Sequence, residues 1–204
     1  MGMTIWEDLI QGSEKWHAAR AGRVTASQFK RVLTAAGGKD SSSWKDYALT
    51  LTAEIISPEI VPAFAGNRHT DRGNELEPRA REYFCQLTGL VVEQVGFITR
   101  EDGIVGCSPD GLIVHEDSYV AGLEIKAPAP KTHLEYLLNG TLPDEYKQQV
   151  HGSMAVTGLD TWHFFSYCEE VSGKPLRPLH LEVKRDHYTE RLSDALDRFL
   201  IYYG

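Results

Sequence analysis

Up to Gly89 the apolar residues of this chain recur at helical spacing; beyond it they alternate, and that change of period divides the fold. Leu76, Ala80, Tyr83, Phe84 and Leu87 share one face of a helix predicted over 74–88, which Gly89 ends. An earlier helix is predicted over 43–56. Then LVVEQVGFIT, GIVGCS, GLIVH and VAGLEIKA read as successive strands separated by turns, most simply an antiparallel meander. Helices follow over 131–138 and 144–157, then the strands TWHFFSYCE and LHLEVKR. A closing helix over 186–202 sets Leu192, Leu196, Phe199 and Leu200 on one face. This order predicts an α/β or α+β fold, a mixed sheet flanked by helices, in a single domain over residues 1–204. TAAGGKDSSSW, residues 34–44, is expected to be a mobile loop.

With 42% hydrophobic and 25% charged residues the chain has the balance of a water-soluble globular protein, and no apolar stretch approaches a membrane span. No basic segment followed by an apolar run opens it, so a cytoplasmic setting is expected. Cys85, Cys107 and Cys168 are scattered without a CxxC pair. They argue for a reducing compartment and against a zinc or iron–sulfur site built from thiolates. Asn139-Gly140-Thr141 matches a glycosylation acceptor and is read as a turn.

The formal net charge of −8, taken as a sum, speaks against a nucleic-acid partner. Its distribution says something else. Residues 15–31 carry only basic charges, while acids crowd the middle and the C-terminus. A basic patch with acids elsewhere suits an enzyme that binds phosphate and needs carboxylates for a cation. From charge alone, a solvated basic helix is the readier account of the patch.

The stretch GCSPDGLIVHEDSYVAGLEIKAP, residues 106–128, puts Asp110 in a Ser-Pro-Asp-Gly turn and Glu124 and Lys126 in an apolar strand. Alternation points Glu124 and Lys126 the same way, and Leu123, Ile125 and Ala127 into the core. If the strand after Asp110 pairs with the one carrying Glu124, all three polar groups meet at one edge. Two carboxylates and the Ile125 carbonyl are hard oxygen ligands suited to Mg²⁺ or Mn²⁺. An ammonium beside them can orient an attacking water and stabilise charge on a phosphodiester. Taken alone, the pattern also fits a surface hairpin with an exposed ion pair.

Two further stretches bear on the choice. Glu75 and Glu77 begin the helix of RGNELEPRAREYF and stand about 200° apart, so at most one can face such a site. In DEYKQQVHGSMAVTG, residues 144–158, Tyr146, Gln149 and Ser153 share a helix face.

These stretches together resemble the phage lambda exonuclease family of viral-type recombination exonucleases, within the PD-(D/E)XK nuclease superfamily. WHAARAGRVTAS, RGNELEPRAR, CSPDGL, GLEIKAP and QVHGSMAVT match five family motifs in order along nearly the whole chain. The resemblance implies a restriction-endonuclease-like PD-(D/E)XK core. It implies Asp110 and Glu124 as metal-binding carboxylates, Lys126 as the catalytic lysine and Glu77, not Glu75, as the additional acid. It implies that Arg20, Thr25, Ser27 and Gln149 contact a 5′-phosphate, which a guanidinium fork, two hydroxyls and an amide can surround. His151 departs from the pattern, standing where the family often has a second polar residue two after the glutamine.

The activity so implied is metal-dependent 5′–3′ digestion of one strand of linear double-stranded DNA. It uses Mg²⁺, with Mn²⁺ as a substitute, yields 5′-mononucleotides and leaves a 3′ single strand for recombination by annealing. The implied partners are duplex DNA ends, a single-strand annealing protein and two further copies of the chain in a homotrimeric ring. The implied setting is the cytoplasm of a bacterial or phage-infected cell. A restriction-type endonuclease of the same fold and a non-catalytic DNA-end-binding module are the alternatives.

Overall fold

The alternating half of the sequence builds two sheets rather than one meander. The structure, a computed structural model, describes residues 2–6, 8–36, 38–57, 68–169 and 177–204, with backbone alone at 68–72 and 74. LVVEQVGFIT splits into β3 (Val91–Glu93) and β4 (Phe97–Arg100), which lie in different sheets. One sheet has the order β1-β4-β5-β2, with β1 (Met3–Trp6), β2 (Val24–Thr25) and β5 (Val105–Cys107). The other has the order β3-β6-β7-β8-β9, adding β6 (Gly111–His115), β7 (Ser118–Lys126), β8 (Thr161–Ser166) and β9 (Leu179–Lys184).

β4 and β5 pair antiparallel as a meander would, but the meander ends there because the outer partners of that pair come from the N-terminus. β1 pairs antiparallel with β4, Met3 opposite Arg100, and β2 runs parallel to β5, Val24 opposite Val105. Alternation marks a strand but not its partner. Gly96, between β3 and β4, lets the incoming segment cross: a Cβ there would lie 1.9 Å from the Leu9 carbonyl oxygen.

The helices follow the predicted positions, with two additions. α1 (Glu14–Arg20) is capped by the Ser13 side chain, and a 3-10 helix runs over Ala26–Arg31. α2 is Trp44–Ile56 and α3 is Arg68–Thr88, six residues longer at its start than predicted. Pro78 does not end α3; it only removes the amide that would bond one turn back. α4 (Pro130–Asn139) and α5 (Asp144–Thr157) end at Gly140 and Gly158 in left-handed geometry, and α6 (His187–Tyr203) opens with an Asp186–Thr189 capping box. The segment expected to be mobile is held to α6: Arg191 donates to the Gly38 carbonyl at 2.6 Å and Arg198 bonds Asp40 at 2.5 Å.

α5 is the centre of the molecule rather than an ordinary amphipathic surface helix. It packs on both sheets, the 3-10 helix and α6, and Val150 through Thr157 are all buried. At Gly152 it meets Phe29 so closely that a Cβ would lie 2.1 Å from the ring. α3 covers the opposite face of the second sheet, where Ala80 and Phe84 pack on Ile113, Leu123, Ile125 and Phe165. β7 is therefore covered on both faces. Leu123 and Ile125 face α3 as alternation requires, but the face carrying Glu124 and Lys126 lies under α5 instead of in solvent. Glu124 is 1% exposed, which replaces the surface-hairpin reading with a buried site. Cys85, Cys107 and Cys168 form no disulfide. Among the described residues no helix is long and apolar enough to cross a membrane.

Candidate active site

Antiparallel pairing of β6 and β7 sets Gly111 opposite Leu123, so Asp110 stands at the last rung of the hairpin. Its amide donates to the Leu123 carbonyl at 3.0 Å, and its Oδ2 accepts from the Ile125 amide at 2.5 Å. The carboxylate thereby completes the ladder beside Glu124. Lys126 Nζ lies 2.5 Å from Glu124 Oε1 and 5.0 Å from the centre of the Tyr146 ring. Gln149 Nε2, from α5, donates to the same Oε1 at 2.6 Å. Glu124 Oε2 is buried and has no partner.

Glu77 reaches the group from α3. Its carboxylate accepts from Arg81, whose Nε also donates to the Asp110 carbonyl at 2.9 Å. Gln11 Nε2 holds the turn from the other side, donating to the carbonyls of Pro109 at 2.8 Å and Val95 at 3.0 Å. Glu75 is exposed, as a helical position about 200° from Glu77 should be.

The electrostatics of this cluster are those of too many carboxylates in too little water. Burial pushes Glu124 up to about 7, with Lys126 opposing the shift and Asp110 adding to it. Burial and then Asp110 bring Glu77 to about 7, against the pull of Arg81 and Lys126. Asp110 is raised by burial as well, opposed by Lys126 and its bond from the Ile125 amide. Burial works against the Lys126 charge, but Glu124 and Asp110 outweigh it and hold its pKa above the ordinary lysine value. Lys126 is thus a fixed cation and hydrogen-bond donor at neutral pH.

A second cluster opens beside the first. Arg20, at the end of α1, donates to Ser108 Oγ at 2.8 Å and to Ser27 Oγ at 3.3 Å. Its guanidinium lies 4.2 Å from the centre of the Trp16 ring, and Trp16 Nε1 bonds the same Ser108 at 3.0 Å. Burial lowers the Arg20 pKa to about 10. Thr25 is buried at the wall, its amide donating to the Tyr47 hydroxyl at 3.2 Å.

One cleft of about 1510 Å³ is lined by Arg20, Thr25, Ser27, Glu77, Asp110, Glu124, Ile125, Lys126 and Gln149. Every residue that the resemblance or the strand geometry assigned to metal or phosphate therefore lines the same space. Gln149 meets Glu124 there rather than the Arg20 group. His151, two residues on, turns away: its Nδ1 is 2.7 Å from Thr189 Oγ1 under α6.

Ser108, Arg81 and Gln11 are components that sequence reasoning passed over. Ser108 was visible only as part of the Ser-Pro-Asp-Gly turn, yet it ties Arg20 to the segment that carries Asp110. Arg81 stood in the motif that yielded Glu77, and its bond to the Asp110 carbonyl joins α3 to the hairpin. Gln11 gave no signal, since its two acceptors lie more than eighty residues away.

The donor set fits a hard divalent cation. Glu124 Oε2 is an orphaned buried oxygen, and Asp110 and Glu124 hold raised pKa values that a cation would bring down. Among the described residues no three His, Cys, Asp or Glu side chains already form a closed ligand set. Two carboxylates and a carbonyl leave positions for water, as Mg²⁺ prefers.

A family model described as a YqaJ-like viral recombinase domain matches residues 15–160. No curated protein matches the chain in sequence. The structure is similar to that of an alkaline exonuclease, LHK-Exo, from Laribacter hongkongensis, with a TM-score of 0.75, 29% identity and 94% of each chain covered. The same figures hold for LHK-Exo in complex with dAMP. A phage related exonuclease from Haemophilus somnus 129PT shares the fold, with a TM-score of 0.67 and 15% identity over 89% of this chain and 93% of that one. The match spans the basic N-terminal segment, the α3 acids, the β6–β7 hairpin and α5, and it bears out the resemblance read from the motifs. The chain belongs to the YqaJ-like viral recombinase domain family.

Proposed function

We propose that this protein is a Mg²⁺-dependent exonuclease that digests the 5′-ended strand of linear double-stranded DNA. It would release 5′-mononucleotides and leave a 3′ single strand for annealing. The observation that carries the reading is the coupling of two sites through Ser108. Arg20 bonds Ser108, and two residues later Asp110 begins the carboxylate cluster. A terminal phosphate at Arg20, Thr25 and Ser27 would thereby be held at a fixed offset from the phosphodiester to be cut. The similarity to an alkaline exonuclease, also solved with a deoxynucleotide monophosphate, supports the substrate class.

Asp110, Glu124 and the Ile125 carbonyl would hold the Mg²⁺, with Glu77 as a further acid. When bound, the ion supplies Lewis-acid polarisation of the phosphodiester. The chain's own residues do the rest. Lys126, kept charged by Glu124 and Asp110, donates hydrogen bonds that orient the attacking water and stabilise charge on the phosphoryl oxygens. Gln149 fixes the Glu124 rotamer, and Arg81 and Gln11 fix the turn that carries Asp110. The Trp16 ring covers one face of the Arg20 guanidinium, and that partial shielding strengthens its hold on an anion.

Assembly into a homotrimeric ring around duplex DNA, and action beside a single-strand annealing protein, are proposed on family membership. With a net charge of −8, grip on DNA must come from the local basic patch or from assembly. The function is tested by incubating linear duplex, with and without a 5′-phosphate, and closed circular DNA of the same sequence, in Mg²⁺ and in EDTA. Digestion of linear DNA alone, faster with the phosphate and abolished by EDTA, is expected. Cutting of the closed circle would identify an endonuclease instead.

A further inference from the structure

Past Arg20 the cleft runs on to α2, where Tyr47, Thr50 and Glu54 form its far wall. Two other cations line this part, and both are occupied. Arg31 Nη2 lies 2.6 Å from Asp46 and 3.0 Å from Thr50 Oγ1. Arg23 donates to the carbonyls of Ala19 at 2.5 Å and Gly103 at 2.8 Å. Glu54 differs from both. Its Oε2 accepts from the Gly22 amide at 2.9 Å, two residues from Arg20, and among the described residues no cation pairs with it. Its charge acts on the Arg20 guanidinium and on the Tyr47 hydroxyl. The Tyr47 hydroxyl in turn receives the Thr25 amide, so α2 is fixed against the pocket on either side of Arg20.

We propose that Glu54 is a specificity-determining residue that ends the phosphate pocket, admitting the charge of one terminal phosphate at Arg20 and repelling any phosphate beyond it. The inference rests on the reading of Arg20, Thr25 and Ser27 as that pocket. A desolvated guanidinium by itself attracts anions in proportion to their charge, and so favours a 5′-triphosphate over a 5′-monophosphate. A fixed carboxylate on the far side reverses this preference, because like charges brought together in a partly buried site are costly. The substrate class so selected is a strand ending in a 5′-monophosphate. A 5′-triphosphorylated end, which carries its extra charge toward α2, is discriminated against.

The test is binding, measured by fluorescence anisotropy in EDTA, of duplexes ending in 5′-hydroxyl, 5′-monophosphate or 5′-triphosphate. Wild type, Glu54→Gln and Glu54→Ala are compared, each checked for folding by thermal melting. Glutamine keeps an acceptor for the Gly22 amide and removes only the charge; alanine removes both. Wild type is expected to bind the monophosphate at least about tenfold more tightly than the triphosphate, and both variants to lose that ratio or invert it. A ratio unchanged in both variants overturns the role of Glu54 while leaving the pocket in place. A wild type that does not distinguish monophosphate from hydroxyl removes the pocket itself, and the inference with it. The two failures are separable because the second appears before any substitution is made.

Discussion

At pH 8 and without divalent cations, Glu124→Gln is expected to fold more stably than wild type although it abolishes the proposed site. Glu124 is 1% exposed, and burial raises its carboxyl from the ordinary 4.5 to about 7. The folded protein therefore keeps a proton that the unfolded chain releases near 4.5. Wild-type stability from this group is full below that pH and is lost as pH rises to about 7. Above that window the ionised form costs about 3 kcal/mol. Glutamine escapes this loss but sets its amide nitrogen where Oε2 has no partner, which offsets about 1 kcal/mol. The net gain of about 2 kcal/mol corresponds to roughly 4–8 °C in Tm for a chain of this length. Melts followed by circular dichroism in EDTA from pH 5 to 8.5 measure it. The two proteins should converge at the acid end and separate above pH 7, and Mg²⁺ should raise the Tm of wild type alone. A variant less stable than wild type at pH 8, or a difference independent of pH, would refute the account of Glu124 as a carboxylate strained by burial.

Arg20→Lys keeps the charge but loses the fork that spans Ser108 and Ser27, so the preference for phosphorylated over hydroxyl ends should fall about tenfold in a competition digest. An undiminished preference would show that charge alone suffices. Gln11→Ala removes two hydrogen bonds from the segment leading to Asp110; kcat should drop about tenfold with KM little changed, whereas a rise in KM alone would place Gln11 in substrate binding. Gly152→Val places new atoms against the Phe29 ring, and a loss of about 3 kcal/mol is expected in urea unfolding. An unchanged midpoint would mean that Phe29 can move aside.

The parts of this structure legible in the sequence are those set by local pairing. Asp110 meets Glu124 and Lys126 because a short hairpin with a defined register joins them, and α5 follows its polar stripe and its Pro143 and Gly158 boundaries. What was not legible depends on residues far apart in the chain. β2 is two residues long and has no period to read, and β1 is recognisable only beside β4. α1 is seven residues long, too short for a repeating face, and its function lies in the single Arg20 that the fold turns toward Ser108. The burial of Glu124 was hidden for the same reason. Alternation tells which residues share a face of β7, but only the packing of α5 decides that the polar face is dry.

The central claim is that Asp110, Glu124 and Lys126 cut a strand held by its 5′-phosphate. The most direct measurement is release of labelled mononucleotide from linear duplex carrying a 5′-labelled phosphate, in Mg²⁺, by wild type, Asp110→Asn and Lys126→Ala. Wild type is predicted to release the label as a 5′-mononucleotide. Each variant is predicted to bind the duplex end but to release label at least about a thousandfold more slowly. Release at the wild-type rate by either variant would contradict the claim.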